Sequence, residues 1–143
     1  MAVDDVSLIP GTPGYYKTDY TIDHPGRVSI LIPTCDHICD LVTCVESIYA
    51  RTTYPDFEII LIENNSKAPE TFRTYARIQK EPPDNLKVVT WEGKGFNYSA
   101  LNNFGEKFAT GEYLLLLNND TEVITAAWLE EMVMYLSLIH ISE

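Results

Sequence analysis

Basic residues are scarce in this chain. Its 143 residues include 10 Lys and Arg against 21 Asp and Glu, which gives a formal net charge of -11 with neutral histidines. A protein that binds a nucleic-acid backbone needs clustered positive charge to neutralise phosphates. The composition therefore argues against nucleic acid as a partner. Apolar residues make up 45% of the chain, which is enough for the core of one globular domain.

Long apolar runs and a disulfide pattern are also missing. The longest runs, such as residues 113–117, have the length of a strand and fall far short of the ~20 residues of a membrane-spanning helix. No signal peptide is visible. The cysteines are Cys35, Cys39 and Cys44, an odd number within one short stretch, which is not typical of a disulfide framework. These absences favour a cytoplasmic protein.

Short apolar runs rich in β-branched residues alternate with stripes of apolar residues at helical spacing. The runs are typical of strands that are buried on both faces, and the stripes are typical of helices that pack on them. Strands are predicted at 28–33, 57–62, 86–91 and 113–117, and helices at 38–49, 69–80, 98–108 and from 128 onward. The aromatic residues of the third helix, Tyr98, Phe104 and Phe108, are expected in the core.

This βαβαβαβα order predicts an α/β fold, a three-layer sandwich with a mainly parallel sheet covered on both faces. A polar cluster follows each predicted strand. Because ligands of such sheets bind outside the carboxyl ends of the strands, we expect the clusters to share one edge and form a site. The clusters are 34–36, 63–65, 92–95 and 118–120.

The two ends of the chain do not fit this alternation. Residues 1–26 contain three prolines and are interpreted as an extended lead-in segment. The helical stripe breaks after Tyr135, and we interpret residues 137–143 as a non-native tail. The predicted domain therefore covers residues 27–136 and is incomplete at its C-terminus.

Glycine-rich phosphate-binding motifs are absent after the first predicted strand, where the turn is formed by residues 33–37. Neither a P-loop nor a dinucleotide fingerprint occurs there. A bound diphosphate would therefore need a cation, and Asp120 with Asn118 offers oxygen ligands at the end of a rigid strand. Mg²⁺ and Mn²⁺ favour such ligands and complete their shell with phosphate oxygens and water. The alternative interpretation is a turn and helix cap, since Asn and Asp favour both.

Four segments together resemble family 2 glycosyltransferases, whose catalytic domain has the Rossmann-like GT-A fold that binds nucleotide sugars. The resemblance covers roughly residues 27–135, and the order and spacing of the segments make it specific. The segments are 28–34, 46–49, 54–66 and 103–122. It implies a fragment that holds the N-terminal, donor-binding half of the catalytic domain.

The resemblance also implies roles for individual residues. Pro33 and Thr34 match the pair that touches the nucleoside, and Asn118-Asn119-Asp120 matches the D-x-D metal motif in an N-x-D form. The catalytic base of the family has no matching position in this chain, so the catalytic residues remain unassigned. The implied donor-binding residues are Pro33, Thr34, Asp36, Glu63, Asn64, Asn103 and Asn119, and the implied metal ligands are Asp120 and Asn118.

The function implied by the resemblance is hexosyl transfer from a nucleoside-diphosphate-sugar donor to a saccharide acceptor. It would be inverting, assisted by a divalent metal (Mg or Mn), and part of cell-surface polysaccharide synthesis. The parent protein would be cytoplasmic, with peripheral association at the inner face of the cell membrane. This fragment is expected to bind donor and to transfer nothing.

Two alternatives remain open at this point. One is a catalytically inactive nucleotide-sugar-binding or scaffolding module, which Asn118 in place of a carboxylate and the missing base both favour. The other is a nucleotidyltransferase, which needs a similar sheet and a metal. A preference for a free nucleoside triphosphate over a nucleotide sugar would favour the second alternative.

Overall fold

The computed structural model describes residues 2–8, 16–21, 26–81 and 84–142. Within these ranges the chain forms six strands and four helices. The strands are β1 (Ala2–Leu8), β2 (Tyr16–Thr21), β3 (Val28–Thr34), β4 (Phe57–Asn64), β5 (Leu86–Trp91) and β6 (Tyr113–Leu116). The helices are α1 (Ile38–Arg51), α2 (Pro69–Lys80), α3 (Tyr98–Glu106) and α4 (Trp128–Ser142).

A four-stranded sheet in the order β5-β4-β3-β6 organises residues 26–129. All three pairings are parallel, which confirms the predicted α/β fold class. Every residue of β3 is buried, as are seven of the eight residues of β4. Both faces of a central parallel strand are covered, and for this reason such a strand consists of a continuous run of β-branched and apolar residues.

Helix α3 lies on one face of the sheet, and α1 and α2 lie on the other. Gly105 of α3 approaches Ile62 and Leu31 so closely that a Cβ atom at this position would collide with the Ile62 side chain. Tyr75 of α2 bonds instead to Glu63, the residue that follows Ile62 and points to the other face. Right-handed crossovers place α1 on the same face as α2. The three layers expected from the sequence are therefore present.

One part of the core lies between the central strands and α3. One cluster contains Leu31, Ile60, Ile62 and Leu101, all with no exposed surface. Val89, Trp91, Phe104 and Ala109 pack against it. Burial of each large aliphatic side chain stabilises the fold by about 1.5–3 kcal/mol, so this cluster fixes α3 relative to the carboxyl half of β3 and β4.

A second unit contains the described residues before position 26 and those from Glu130 onward. Within it, β1 and β2 form a two-stranded antiparallel sheet whose register shifts between Val3 and Asp5. The segment predicted as a lead-in thus includes two strands. The final helix runs to Ser142, past residue 136 where we placed the end of the domain. No helix in the described ranges combines the length and apolarity needed to cross a membrane.

A buried carboxylate joins the strands at the amino edge of the sheet. Glu58 is 5% exposed and accepts hydrogen bonds from Ser29 Oγ at 2.6 Å and from Thr110 N at 2.7 Å. Lys87 Nζ lies 3.5 Å from it. Burial by itself would raise the pKa of Glu58, but the bonds from Ser29 and Thr110, with the Lys87 charge, outweigh it and lower the pKa. The carboxylate is therefore held in its charged form.

Replacing Glu58 with glutamine is expected to make the free energy of unfolding less dependent on pH in the acidic range. The lowered pKa means that the folded state binds this proton less readily than the unfolded chain. Its contribution is complete above the ordinary pKa of Glu and is lost as the pH falls through the folded value. We expect Glu58→Gln to lower the free energy of unfolding by about 1–2 kcal/mol at neutral pH, and by less below pH ~4. Urea unfolding at several pH values measures this, with the exposed Glu46→Gln as the control. A constant difference at all pH values would contradict the assignment.

Candidate functional site

The carboxyl ends of the parallel strands meet at one edge, as the sequence predicts. In the sheet register Thr34 pairs with Glu63, and Asn64 pairs with Trp91. Leu117 N continues β6 by donating to Leu31 O at 2.9 Å. Residues 118–120 therefore leave the sheet beside the end of β3, next to the cluster that follows that strand.

Side-chain hydrogen bonds tie the clusters at this edge together. Asn119 Nδ2 lies 3.3 Å from Thr34 Oγ1, which joins the ends of β6 and β3. Asn65 Nδ2 donates to Asn64 Oδ1 at 2.8 Å and to Gly93 O at 2.9 Å, which joins the ends of β4 and β5. All four predicted clusters thus contribute to one polar edge.

Glu63 is buried and holds the start of the β4–α2 connection. Its two carboxylate oxygens each lie 3.2 Å from Ser66 N, and Oε1 also accepts a bond from Tyr75 OH at 3.2 Å. Burial, followed by the nearby Glu63 charge, raises the pKa of Tyr75 far above its usual range, so the phenol stays a donor. Glu63 therefore fixes the loop. The residue lies at the edge of the sheet and is 3% exposed.

Asp36 is placed by a strained turn and binds the start of α2. Asp36 and His37 have φ values of 51° and 48°, the left-handed region that costs energy for residues other than glycine. The Asp36 carboxylate accepts bonds from Thr71 Oγ1 at 2.7 Å, Ala68 N at 3.1 Å and Lys67 N at 3.2 Å. The bonds from Thr71, then Ala68 and Lys67, lower the pKa of Asp36. Asp36 thus links the end of β3 to the N-terminus of α2.

The alternation of side chains divides the edge between the two faces. Leu31 faces α3, so Pro33 two residues later lies on the same face, while Thr34 lies on the opposite one. In β4, Asn64 lies on the α3 face and Glu63 on the α2 face, because they follow Ile62 in turn. The sequence-predicted residues are therefore at one edge but do not all point to one side of it.

The segment after β6 contains the predicted metal ligands. Asn118 and Asp120 are exposed, whereas Asn119 is half-buried against Thr34. Cys44 Sγ lies 4.0 Å from Asn118 O. Burial, and then the charge of Asp120, raise the pKa of Cys44 to about 11, so this thiol carries its proton.

The donor set at this segment fits a hard divalent cation that keeps most of its own ligands. Within the described ranges no three His, Cys, Asp or Glu side chains are grouped to hold a metal ion by themselves. Asp120 supplies one exposed carboxylate, and the amide of Asn118 supplies a neutral oxygen. Mg²⁺ and Mn²⁺ are commonly held by one or two carboxylates together with substrate phosphates and water.

Two neighbouring asparagines of α3 differ in exposure. Asn103, to which the family resemblance gives a role in donor binding, is exposed. Asn102 is 6% exposed; its Nδ2 donates to Tyr98 O at 2.9 Å, and its Oδ1 has no hydrogen-bond partner. Sequence reasoning missed Asn102, although its spacing of four from Tyr98 and three from Gly105 places it on the same stripe of the helix.

The comparison with known proteins decides the family. The glycosyl transferase family 2 profile matches residues 29–138, which contain all of the parallel sheet except Val28. This chain belongs to glycosyl transferase family 2. The O-antigen biosynthesis protein RfbC of Myxococcus xanthus is a relative with 43% identity over 121 residues, 85% of this chain and 9% of RfbC.

Solved structures agree with this family 2 assignment at the level of the fold. TarS 1–349 of S. aureus matches with a TM-score of 0.66 and 22% identity, over 80% of this chain and 33% of that one. The mannosyltransferase PcManGT of Pyrobaculum calidifontis, solved with GDP-Man and Mn²⁺, matches with a TM-score of 0.61 and 23% identity, over 75% of this chain and 31% of that one. The family 2 chain thus has the α/β fold of GT-A glycosyltransferases. It spans less than a tenth of RfbC.

Proposed function

We propose that this family 2 chain forms the donor-binding part of a glycosyltransferase. The reaction transfers a hexose from a nucleoside diphosphate sugar to a saccharide acceptor with inversion at the anomeric carbon. The observation that carries the proposal is the placement of Asn118 and Asp120, exposed at the carboxyl edge and tied to Thr34 through Asn119. Carboxylate and amide oxygens at this edge suit a metal-bound diphosphate.

The remaining edge residues have complementary roles in this proposal. Pro33 and Thr34 contact the nucleoside, and Glu63 and Asn64 border the base or ribose. Glu63 and Asp36 already hold loop amides, so they act by fixing the shape of the edge and by presenting negative charge to donor hydroxyls. Asn103 is exposed on α3, and in this proposal it contacts the sugar phosphate.

A divalent cation, magnesium or manganese, supplies positive charge to the departing diphosphate when it is bound. Asp120 is the carboxylate that holds it, and Asn118 contributes an amide oxygen. The base that removes the proton from the acceptor hydroxyl is not assigned to any residue of this chain. For this reason we propose that the chain alone binds donor without transferring sugar.

The similarity to RfbC, an O-antigen biosynthesis protein, supports cell-surface polysaccharide synthesis as the process. The acceptor is then a growing saccharide. Nucleotide sugars are cytoplasmic substrates in this proposal, and the parent protein works at the inner face of the cell membrane as a peripheral protein. Residues 27–136 are the donor-binding domain in this proposal.

One observation favours a second candidate function, an inactive nucleotide-sugar-binding module. The metal segment begins with Asn118 instead of a carboxylate, and the described residues contain no group of three metal-ligating side chains. A module of this kind would bind the donor with the same edge but would never turn over, even within its parent protein. Sugar transfer by a full-length parent would exclude it.

Calorimetric titration of nucleotides into the purified chain tests the proposal. We expect UDP, GDP or dTDP to bind in the presence of millimolar manganese. We expect each to bind at least about tenfold more weakly after the metal is chelated. The reason is that Asp120 and the phosphate oxygens would coordinate the same cation. Circular dichroism confirms that the chain is folded in both conditions. If a folded chain binds no member of the panel with metal, the donor-binding proposal is wrong.

A further inference from the structure

Asn102 carries a buried oxygen that no group of the protein satisfies. The side chain is 6% exposed, its Nδ2 is bonded to Tyr98 O, and its Oδ1 lacks a partner. A buried acceptor without a hydrogen bond is destabilising, so nearly all such groups have a partner in protein, water or ligand. The oxygen therefore marks a place where a hydrogen-bond donor is missing.

The height of Asn102 along the sheet follows from the path of α3. The helix begins after β5 at the carboxyl edge, and it returns toward the amino edge, where Tyr113 N donates to Arg27 O. Gly105 lies against Ile62 and Leu31. Asn102 is three residues earlier, hence about 4.5 Å nearer the carboxyl edge. This distance is roughly the rise of one to two strand residues, which brings it level with the ends of β3 and β6.

The flank of α3 that Asn102 occupies follows from the helical period. Phe104 packs against the same core cluster as Val89 and Trp91 of β5, and we place it on the β5 side of the helix. Residues two apart lie about 160° apart around a helix, so Asn102 lies on the opposite flank, toward β3 and β6. Leu116 of β6 pairs with Leu31 and therefore lies on the same face of the sheet, and Asn118 follows two residues after it.

We infer that Asn102 Oδ1 accepts a hydrogen bond from a hydroxyl group of the bound nucleotide sugar. This inference rests on the proposed donor site. An amide oxygen accepts and cannot donate, so it does not match the phosphate oxygens, which are acceptors as well. The hydroxyls next to the diphosphate are those of the ribose on one side and of the transferred sugar on the other. Asn102 is therefore a donor-binding residue that reads a sugar hydroxyl.

The test compares Asn102→Leu with the wild-type chain. Leucine has a similar volume and removes the oxygen, so the variant is expected to melt at or near the wild-type temperature. We expect its affinity for the donor to fall about threefold to tenfold in the presence of manganese. Glu106→Gln, an exposed position on the same helix, is the control and is expected to bind as the wild type does. Asn102→Ala serves as a second variant that also lacks the oxygen, in case leucine disturbs the fold.

The choice of ligands identifies the hydroxyl. UDP and UDP-glucose are titrated in parallel, with GDP and GDP-mannose as the second pair. An equal loss for the nucleotide and its sugar conjugate assigns a ribose hydroxyl, and a loss confined to the conjugate assigns a hydroxyl of the transferred sugar. Unchanged affinity of folded variants for both ligands overturns the inference and leaves the oxygen to a buried water. Absence of binding by the wild-type chain would instead contradict the donor site itself, and the inference with it.

Discussion

Asp120→Ala is expected to abolish the effect of manganese on nucleotide binding. Asp120 is the one carboxylate of the Asn118–Asp120 segment, and its side chain is exposed at the end of β6. Removing it leaves neutral amide oxygens, which bind a hard dication much more weakly than a carboxylate does. We expect at least about a tenfold loss of nucleotide affinity with manganese and little change without it.

Two matched variants sharpen this experiment. Glu122→Gln removes a charge from an exposed side chain two residues away, and we expect it to keep the metal dependence. Asn118→Asp restores a second carboxylate to the segment and is expected to tighten the metal-dependent binding several-fold, because affinity for such cations rises with ligand charge. Titration calorimetry with and without chelator measures all three. If nucleotide binding by the Asp120→Ala chain still depended fully on manganese, Asp120 would not be a ligand of the cation.

Gly111→Ala is expected to cause the largest loss of stability. A Cβ atom at position 111 would lie 2.5 Å from Arg27 O, 2.6 Å from Ser29 Oγ and 2.9 Å from Ser29 N. Two of these atoms are backbone atoms at the start of β3, which cannot rotate away. The Gly111 N–H also donates to Ser29 Oγ at 2.9 Å, within the network around Glu58. We expect the free energy of unfolding to fall by about 3 kcal/mol.

The control for this prediction is Gly95→Ala. Gly95 has a φ of 73° and no atom within 4 Å of the position of a Cβ, so it separates backbone strain from collision. An alanine there is expected to cost about 1 kcal/mol, through the left-handed backbone alone. Urea unfolding at neutral pH gives both values. If the two variants lost equal stability, close packing at Gly111 would not be the cause.

The order of elements was predictable because local pattern and tertiary environment agree. Two predicted elements match the structure at both ends, Pro69–Lys80 and Leu86–Trp91. The β-branched runs of β3 and β4 have no stable alternative to burial in the centre of a parallel sheet.

A narrow helical stripe, in contrast, does not show which of its residues are buried in the core and which are partly exposed. Phe104 packs on the core as predicted, but Tyr98 and Phe108 remain 38% and 39% exposed, so their assignment to the core was wrong.

The candidate site was predictable as a place but not as a set of contacts. Clusters after parallel strands must meet at one edge, and they do. The sequence does not indicate how many oxygens of Asp36 and Glu63 are already used by loop amides. It also does not indicate which of two adjacent asparagines on α3 is buried.

The sequence by itself determined the family, the alternation of strands and helices, and the edge at which polar residues gather. These properties depend on residue type and on spacing along the chain, which secondary-structure periodicity converts directly into faces and ends. Only the tertiary structure decided that Glu58 is held charged between strands, that Gly111 must lack a side chain, and that the oxygen of Asn102 is left without a partner. Each of these depends on distances between segments far apart in the chain, and such distances are set by packing in three dimensions.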